Sequence, residues 1–288
     1  MTAARIAARK KLARPLKKVG VRKRKKARKA PSVPRHLDSP HLCLLRAPSV
    51  ELPSRPMKRL ITVATYNVHR WTGLNGRGKP DPARAGFVIS ELGADVIALQ
   101  EVMRSHKGDD PLETLADALG MHVTFAATRV HKKGELGNAI LSRWPIGGVS
   151  MLDLSFSRLE KRVAVSARIP FESGVLDVVS THLALTDRTR HRQVRALLEH
   201  PQRQRGPTLL LGDMNAWRKC PATRALEKGM VGNEVNFPMS YPSARPVLAL
   251  DRIYTSGVKL VEIKAHDTPA AQRASDHLPV VARIRLPS

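Results

Sequence analysis

Polar side chains that could bind a metal ion or a phosphate group stand at the ends of six apolar segments of the chain. They are Asn67, Glu101, His182, Asp213 with Asn215, Asp251, and Asp276 with His277. A single residue of this kind beside a strand is usually a turn or cap residue. Six such sites are typical of a binding edge, because ligands collect where the ends of strands converge. We therefore expect these side chains to form one functional site.

Oxygen donors dominate this set, which favours Mg²⁺ or Mn²⁺ over zinc as a bound ion. The sequence contains no HExxH zinc motif, no phosphate-binding P-loop and no GxSxG nucleophile segment. Metal-assisted hydrolysis of a phosphate ester fits the donors best. In that chemistry the ion polarises a phosphoryl oxygen, a carboxylate positions water, and neutral or cationic donors hold the other oxygens.

The scaffold for these residues is predicted by alternating apolar segments. Strand patterns at 60–66 and 95–99 enclose a helix pattern at 82–92, which is the opening order of an α/β domain. Further helix patterns cover 111–119 and about 188–199, and strand patterns continue to residue 284. Short turns between strands, as at Ser256 and Gly257, predict antiparallel pairs, and so a layered sandwich more than a purely parallel sheet.

Charge divides the chain into two parts. The 288 residues carry a net charge of +26, and residues 1–56 hold seventeen Lys and Arg against two acidic residues. This predicts a disordered basic N-terminal arm before a single domain at 57–288. The arm would contact nucleic acid or an anionic membrane, or it would be a solvated tail without a partner; a third reading takes Met57 as the true start. With two cysteines and no apolar segment of about 18 residues, we expect a cytoplasmic protein, and we expect a monomer.

Seven short motifs occur in the order of a known superfamily. They are TYNVH (65–69), LQEV (99–102), GNAILSR (137–143), STHL (180–183), LLLGDMNAW (209–217), LDRIY (250–254) and SDHLPV (275–280). Over about residues 57–286 the chain resembles the endonuclease/exonuclease/phosphatase superfamily. It looks most like uncharacterised bacterial members, in the branch nearer the neutral sphingomyelinases than the abasic-site endonucleases.

The resemblance implies an α/β four-layer sandwich, in which two packed mixed β-sheets are flanked by helices. It also implies a phosphoesterase site at one edge that depends on Mg²⁺ or Mn²⁺. Glu101 would be the main metal carboxylate, with Asn67 beside it and Asp276 on the ion or its waters. His182 and Asn215 would bind phosphate oxygens.

The same resemblance leaves two candidates for the general base. Asp213 would orient and deprotonate the attacking water, while His277 would contact the phosphate as an imidazolium held by Asp251. The spacing allows either Asp213 or His277 to act as the base. One position departs from the abasic-site enzymes, which often have an Asp where this chain has His69.

Basic residues close to the motifs favour an anionic phosphodiester as substrate, with nucleic acid ahead of lipid. The candidate substrate-binding residues are Arg104, Asn138, Arg188 and Arg192. Each also has a plain alternative, a solvated basic face for the arginines and a turn for Asn138. A phospholipid or phosphoinositide headgroup is the second candidate substrate, because the same charges would dock on an anionic bilayer. A third reading is a catalytically inactive polyanion-binding protein, and the complete set of catalytic positions argues against it.

Overall fold

Two mixed β-sheets form the centre of the domain. The computed structural model describes residues 43–50, 56–132, 134–156, 160–200, 206–230 and 235–288, so the predicted arm up to residue 42 lies outside the described residues. In spatial order, the larger sheet contains β1 (Cys43–Arg46), β4 (His122–His131), β5 (Gly134–Ser142), β3 (Val96–Ser105), β2 (Leu60–Asn67), β12 (Val280–Arg285) and β11 (Lys259–Ala265). The smaller sheet contains β10 (Asp251–Ser256), β9 (Thr208–Asp213), β8 (Gly174–His182), β7 (Val163–Phe171) and β6 (Gly148–Asp153).

Helices cover the outer face of each sheet. Helices α1 (Pro82–Glu91), α2 (Pro111–Leu119) and α5 (Ala271–Ala274) pack on the seven-stranded sheet, and α3 (Asp187–Leu198) and α4 (Pro221–Met230) pack on the five-stranded sheet. A separate apolar cluster, which includes Val63, Val165 and Ile253, fills the space between the sheets. The predicted four-layer sandwich is confirmed. No helix in the described ranges is long and apolar enough to cross a membrane.

Local sequence signals set the ends of the first two helices. Each begins with a proline, whose missing N–H costs nothing in the first turn, and each is capped by an Asp side chain. Asp81 accepts a hydrogen bond from the N–H of Arg84, and Asp110 accepts one from Leu112. Helix α2 ends at Gly120 in the left-handed conformation. The helices predicted at 82–92 and 111–119 are confirmed to within one residue.

Two parallel strand pairs bring the motif residues to one edge of the molecule. Strand β2 runs parallel to β3, and β8 runs parallel to β9. Strand β2 ends at Asn67, β8 at His182 and β9 at Asp213. Strand β10 begins with Asp251 and runs antiparallel to β9, so its first residue lies opposite the last residue of β9. The functional candidates therefore converge at the carboxyl ends of the parallel pairs.

Two features of the fold differ from the sequence predictions. Strand β1 pairs with β4, so residues 43–46 belong to the domain and the predicted boundary at residue 56 lies too far along the chain. The turn at Ser256 and Gly257 does not join an antiparallel pair, because β10 pairs with β9 and β11 pairs with β12 in the other sheet. Ile253 and Ile263 on either side of this turn both contact the core between the sheets. A short turn there joins the two layers, and turn length alone does not distinguish this from a hairpin.

Candidate active site

Strand register places three motif residues side by side at the edge of the five-stranded sheet. His182 pairs with Asp213 in the β8–β9 ladder, and Asp251 pairs with Asp213 in the β9–β10 ladder. All three side chains are buried. Buried ionisable groups are costly without partners, so the neighbours of this row determine what it can do.

Gly212 allows β8 and β9 to approach closely enough to form this row. Its φ is +147°, and a Cβ atom at this position would lie 1.8 Å from the carbonyl oxygen of Thr181. Any other residue would push β9 away from β8 and displace the carboxylate of Asp213. The glycine of the LLLGDMNAW motif is therefore required by packing.

Asn67 and Glu101 lie on the edge of the seven-stranded sheet that faces this row. Glu101 occupies a β-bulge in β3 with φ +52°, which turns its side chain out of the regular ladder. Such a conformation costs about 1–3 kcal/mol and is typical of functional positions. A single turn after β2, His69–Trp71, also has positive φ at all three residues. It places Arg70 Nε 3.5 Å from Glu101 Oε2.

The carboxylate of Asp213 is the centre of the polar contacts between the two sheets. Its Oδ2 accepts a hydrogen bond from Asn67 Nδ2 at 3.2 Å, and it lies 3.4 Å from His182 Nε2 and 3.7 Å from His277 Nε2. Its Oδ1 accepts a hydrogen bond of 2.8 Å from the backbone N–H of Asn215. One carboxylate thus faces two imidazole rings and a carboxamide.

His277 is held in its charged form by Asp251. Its Nδ1 lies 2.7 Å from Asp251 Oδ2, which also accepts a hydrogen bond from the hydroxyl of Ser240 at 2.6 Å. Burial lowers the pKa of His277, but the charges of Asp251 and Asp213 and the hydrogen bond to Asp251 outweigh burial and raise this pKa to about 10. At neutral pH His277 is therefore an imidazolium.

His182 is neutral although it lies beside the same carboxylate. Burial and then the guanidinium of Arg162 lower its pKa, Asp213 opposes them, and the result is a pKa of about 3. A neutral imidazole with Nε2 next to Asp213 can donate one hydrogen bond and accept another. The site therefore contains one cationic and one neutral histidine.

Arg162 is a site residue that the sequence reasoning missed. It precedes β7, its side chain is only 19% exposed, and its Nη2 contacts Glu160 at 3.1 Å. Its Nε has no hydrogen-bond partner among the described residues. Burial lowers the pKa of this guanidinium, whereas the charges of Glu160, Asp213 and Glu101 raise it. A buried guanidinium with an open N–H beside these carboxylates is suited to bind an anion.

Glu101 and Asp276 contain the oxygen donors that were predicted to hold a metal ion, and both side chains are about a quarter exposed. Burial raises the pKa of Asp276, the imidazoles of His277 and His69 lower it, and the carboxylate of Glu101 raises it again; the balance lies above the usual value. A divalent cation near both carboxylates would offset this repulsion. Hard oxygen donors with partial access to solvent fit Mg²⁺ or Mn²⁺.

A second candidate metal site consists of Asp213, Asp251 and His277, whose ligand atoms all lie within 4.8 Å of one another. In this group the Nδ1 of His277 already pairs with Asp251. Its polar atoms therefore satisfy one another in part without an ion, although Asp251 Oδ1 is buried and has no hydrogen-bond partner among the described residues. Asn67 lies between the two groups, because its Nδ2 contacts Asp213 and its Oδ1 accepts the backbone N–H of His69.

The four predicted substrate-binding residues differ in their contacts and in their exposure to solvent. Arg104 does not join the site, because Asp110, Glu113 and Glu135 neutralise its guanidinium. Asn138 lies within β5 and not in a turn, and its Nδ2 donates to the carbonyl oxygen of Val163 at 2.8 Å, which links the two sheets. Both remaining arginines lie on α3: Arg188 is exposed, and Arg192 stacks over the ring of Phe156 at 4.2 Å.

Two buried polar residues that were not predicted support the site from below and beside it. Gln100 accepts a hydrogen bond from Thr65 and donates one to Ser180, so it connects the two sheets under the edge that holds the candidate site. Arg190 is 1% exposed and donates to the carbonyl oxygens of Ala184 and Asn215. The only signal for Gln100 in the sequence is its place beside Glu101, and Arg190 cannot be told from its solvated neighbours on a basic helix.

Comparison with known proteins identifies the family. The model of the endonuclease/exonuclease/phosphatase family matches residues 64–277. The uncharacterized protein YbhP of Escherichia coli (strain K12) is 29% identical over 264 residues, which cover 82% of this chain and 100% of YbhP. A solved endonuclease/exonuclease/phosphatase from Beutenbergia cavernae has a TM-score of 0.62 at 22% identity, over 80% of this chain and 72% of that one. The structure of D. rerio TDP2 complexed with single strand DNA product has a TM-score of 0.58 at 16% identity, over 78% and 99% of the two chains. Because the family model matches most of the chain and the motifs lie together at one edge of the sandwich, the chain belongs to the endonuclease/exonuclease/phosphatase family.

Proposed function

We propose that this protein is a divalent-metal-dependent phosphodiesterase that hydrolyses nucleic acid. The observation that carries the proposal is the contact of Asp213 with a neutral His182 and a cationic His277, 3.4 and 3.7 Å away. Proton donors of this kind stabilise the negative charge of a phosphate group, and a carboxylate among them can take a proton from water.

Asp213 is the base in this proposal, because an imidazolium cannot accept a second proton and His277 is protonated at neutral pH. The attacking water gives a proton to Asp213 while its oxygen bonds to phosphorus. The bond from phosphorus to the leaving oxygen then breaks, and that oxygen takes a proton from solvent. His182, His277 and Asn215 hold the non-bridging oxygens during this displacement.

Glu101 and Asp276, with Asn67 beside them, would hold Mg²⁺ or Mn²⁺. When bound, the ion supplies positive charge that polarises a phosphoryl oxygen. Arg162 would bind the same phosphate group, since its Nε is a buried N–H without a partner among the described residues and the charges of Asp213 and Glu101 act on its guanidinium. Nucleic acid is favoured as substrate by the exposed arginines of α3 and by the single strand DNA product in the similarly folded D. rerio TDP2.

Turnover measurements test the proposal directly. Purified protein is assayed with Mg²⁺, Mn²⁺ or EDTA against single- and double-stranded DNA, RNA, sphingomyelin and phosphoinositide vesicles. We expect ion-dependent cleavage of nucleic acid. Cleavage of lipid headgroups alone would assign the site to lipids, and full activity in EDTA would contradict the role of the ion.

Two substitutions test the assigned residues. Glu101→Gln and Asp213→Asn are each expected to lower kcat at least about a hundredfold, as removal of a catalytic group does. The matched controls are Glu199→Gln and Asp109→Asn, which neutralise exposed carboxylates and should leave kcat unchanged. Wild-type rates in Glu101→Gln and Asp213→Asn would refute the mechanism.

A further inference from the structure

Trp217 stands out among the three tryptophans of the chain. Its side chain is 50% exposed, whereas Trp71 and Trp144 are 1% and 9% exposed. It follows Asn215 by two residues, on the loop between β9 and α4 that leaves the catalytic edge. The mechanism proposed for the site does not use this aromatic ring.

The ring of Trp217 is supported by a buried cation. The Cζ atom of Arg190 lies over it, 5.4 Å from the ring centroid. Arg190 itself donates to the carbonyl oxygens of Ala184, Leu185 and Asn215 and pairs with Asp187. These bonds tie the β8–α3 loop to the β9–α4 loop. The ring is therefore braced from one side while half of its surface faces solvent.

A ring held in place by Arg190 is suited to stack on a flat ligand, whereas a tryptophan that anchors a protein to a bilayer does not need such support. Ordering a side chain before binding lowers the entropic cost of a stacking contact. The residue after it, Arg218, is 69% exposed and forms an ion pair of 3.0 Å with Asp187. Leu185 is the other large apolar side chain that the described parts of these two loops expose. Trp217 therefore offers an open aromatic face next to Arg218 and two residues after Asn215, the carboxamide proposed to bind phosphate. An aromatic face beside such groups matches the base and the backbone of a nucleotide.

We propose that Trp217 stacks on the nucleobase next to the scissile phosphate, and that the substrate is unpaired nucleic acid. The inference rests on the proposed phosphodiesterase function and specifies its substrate class. In a duplex both faces of each base are covered by neighbouring bases, so only an unstacked base can use the ring. The ring distinguishes substrates with a base from those without one, which charge alone does not do.

Two phosphodiesters that share the p-nitrophenyl group, one an ester of a nucleoside and the other of methanol, give the sharpest test. Thymidine 5′-(p-nitrophenyl phosphate) and methyl p-nitrophenyl phosphate release the same chromophore. Trp217→Ala should lower kcat/KM for the thymidine ester by roughly tenfold, the size of one base–aromatic stacking contact, and leave the methyl ester unchanged. Trp217→Phe should restore most of the loss. Phe87→Ala, which removes an exposed ring on α1, is the matched control and should change neither substrate.

Fluorescence provides a readout that does not depend on turnover. A single-stranded thymidine oligomer should quench the emission of the wild-type protein in EDTA, because the exposed tryptophan is the one that a base can reach. Trp217→Phe should abolish the quenching, and the same oligomer annealed to its complement should quench weakly. Quenching without turnover of any phosphodiester would retain the stacking site and refute the proposed function.

Three results would overturn the inference. Equal losses on the two esters in Trp217→Ala would mean that the ring only supports the loop. Equal quenching by single and double strands would exclude recognition of an unpaired base. A blue shift of the emission with phosphatidylglycerol vesicles, lost in Trp217→Phe and not seen with the oligomer, would make the ring a membrane contact.

Discussion

Replacement of Asp251 by Asn should lower the pKa of His277 and move the alkaline limit of activity to lower pH. The carboxylate of Asp251 lies 2.7 Å from His277 Nδ1 and is foremost among the groups that raise this pKa to about 10 against the effect of burial. Loss of an adjacent opposite charge changes a pKa by about 1 to 3, so the variant should titrate between about 7 and 9. At pH 8 the imidazolium fraction would then fall from about 99% to between about 10% and 90%.

The titration is best followed by NMR of the histidine ring protons in protein freed of metal, because a bound cation would itself lower the pKa. The signal of His277 is assigned by its loss in His277→Gln. The profile of kcat/KM against pH is measured in parallel with Mg²⁺ at one fixed concentration. Ser240→Ala is the matched control, since it removes a hydrogen bond to Asp251 and keeps the charge.

Two results would refute this reasoning. If His277 in Asp251→Asn still titrates near pH 10, another group determines its charge. If activity falls by the same factor at every pH, Asp251 acts through structure. The free energy of unfolding provides an independent test. Folding raises the pKa of His277 from 6.5 to about 10, so the charged ring stabilises the folded protein fully below pH 6.5, and this stabilisation is lost as the pH rises through about 10. Asp251→Asn should therefore lose more stability at pH 6 than at pH 11.

Three further changes test the packing around the site. Gly212→Ala should lower the free energy of unfolding by about 2–4 kcal/mol in urea denaturation, because its Cβ atom would meet the Thr181 carbonyl. In the control Gly93→Ala the new Cβ atom has nothing within 4 Å. An equal loss of stability in the two variants would exclude the clash as the cause. Arg162→Gln should raise the pKa of His182 and lower kcat/KM at least about tenfold, and an unchanged His182 titration would show that the two side chains do not interact. Removal of residues 1–56 should lower Tm more than removal of residues 1–42, by about 2–4 °C for each kcal/mol that β1 contributes, and equal Tm values would show that this strand adds no stability.

The residues at the strand ends could be predicted from sequence because each contrasts with the apolar segment beside it. Asp213 and His182 each terminate a buried strand, and register then brings them together. Arg162 has no such contrast, because an arginine in a basic chain resembles a solvated residue until packing buries it. Arg104 shows the opposite error: it follows the LQEV motif, yet carboxylates on α2 and β5, 9 and 31 residues further along the chain, neutralise it.

The layers of the fold could be predicted, but the assignment of single strands to sheets could not. Alternating patterns predicted α1, α2, α3 and most strands, since a helix or strand with one buried face shows the corresponding periodicity, but α4 and α5 were not predicted. The turn at Gly257 has the sequence of a hairpin, and the chain nevertheless crosses from one sheet to the other there. Which partner a strand finds depends on contacts such as those of Ile253 and Ile263 between the sheets, and a local pattern carries no information about them.

Net charge is a weaker guide to the substrate than two individual side chains. Arg104 is matched by three carboxylates, and Arg190 by backbone carbonyls and Asp187, so these cations stabilise the protein and do not contribute free charge to a polyanion site. A positive field also attracts lipid headgroups and nucleic acid alike. In the proposed function the open N–H of Arg162 would bind a phosphate group, and the braced ring of Trp217 would bind a base. Discrimination between the two substrate classes should therefore follow the aromatic ring and persist at salt concentrations that screen the field.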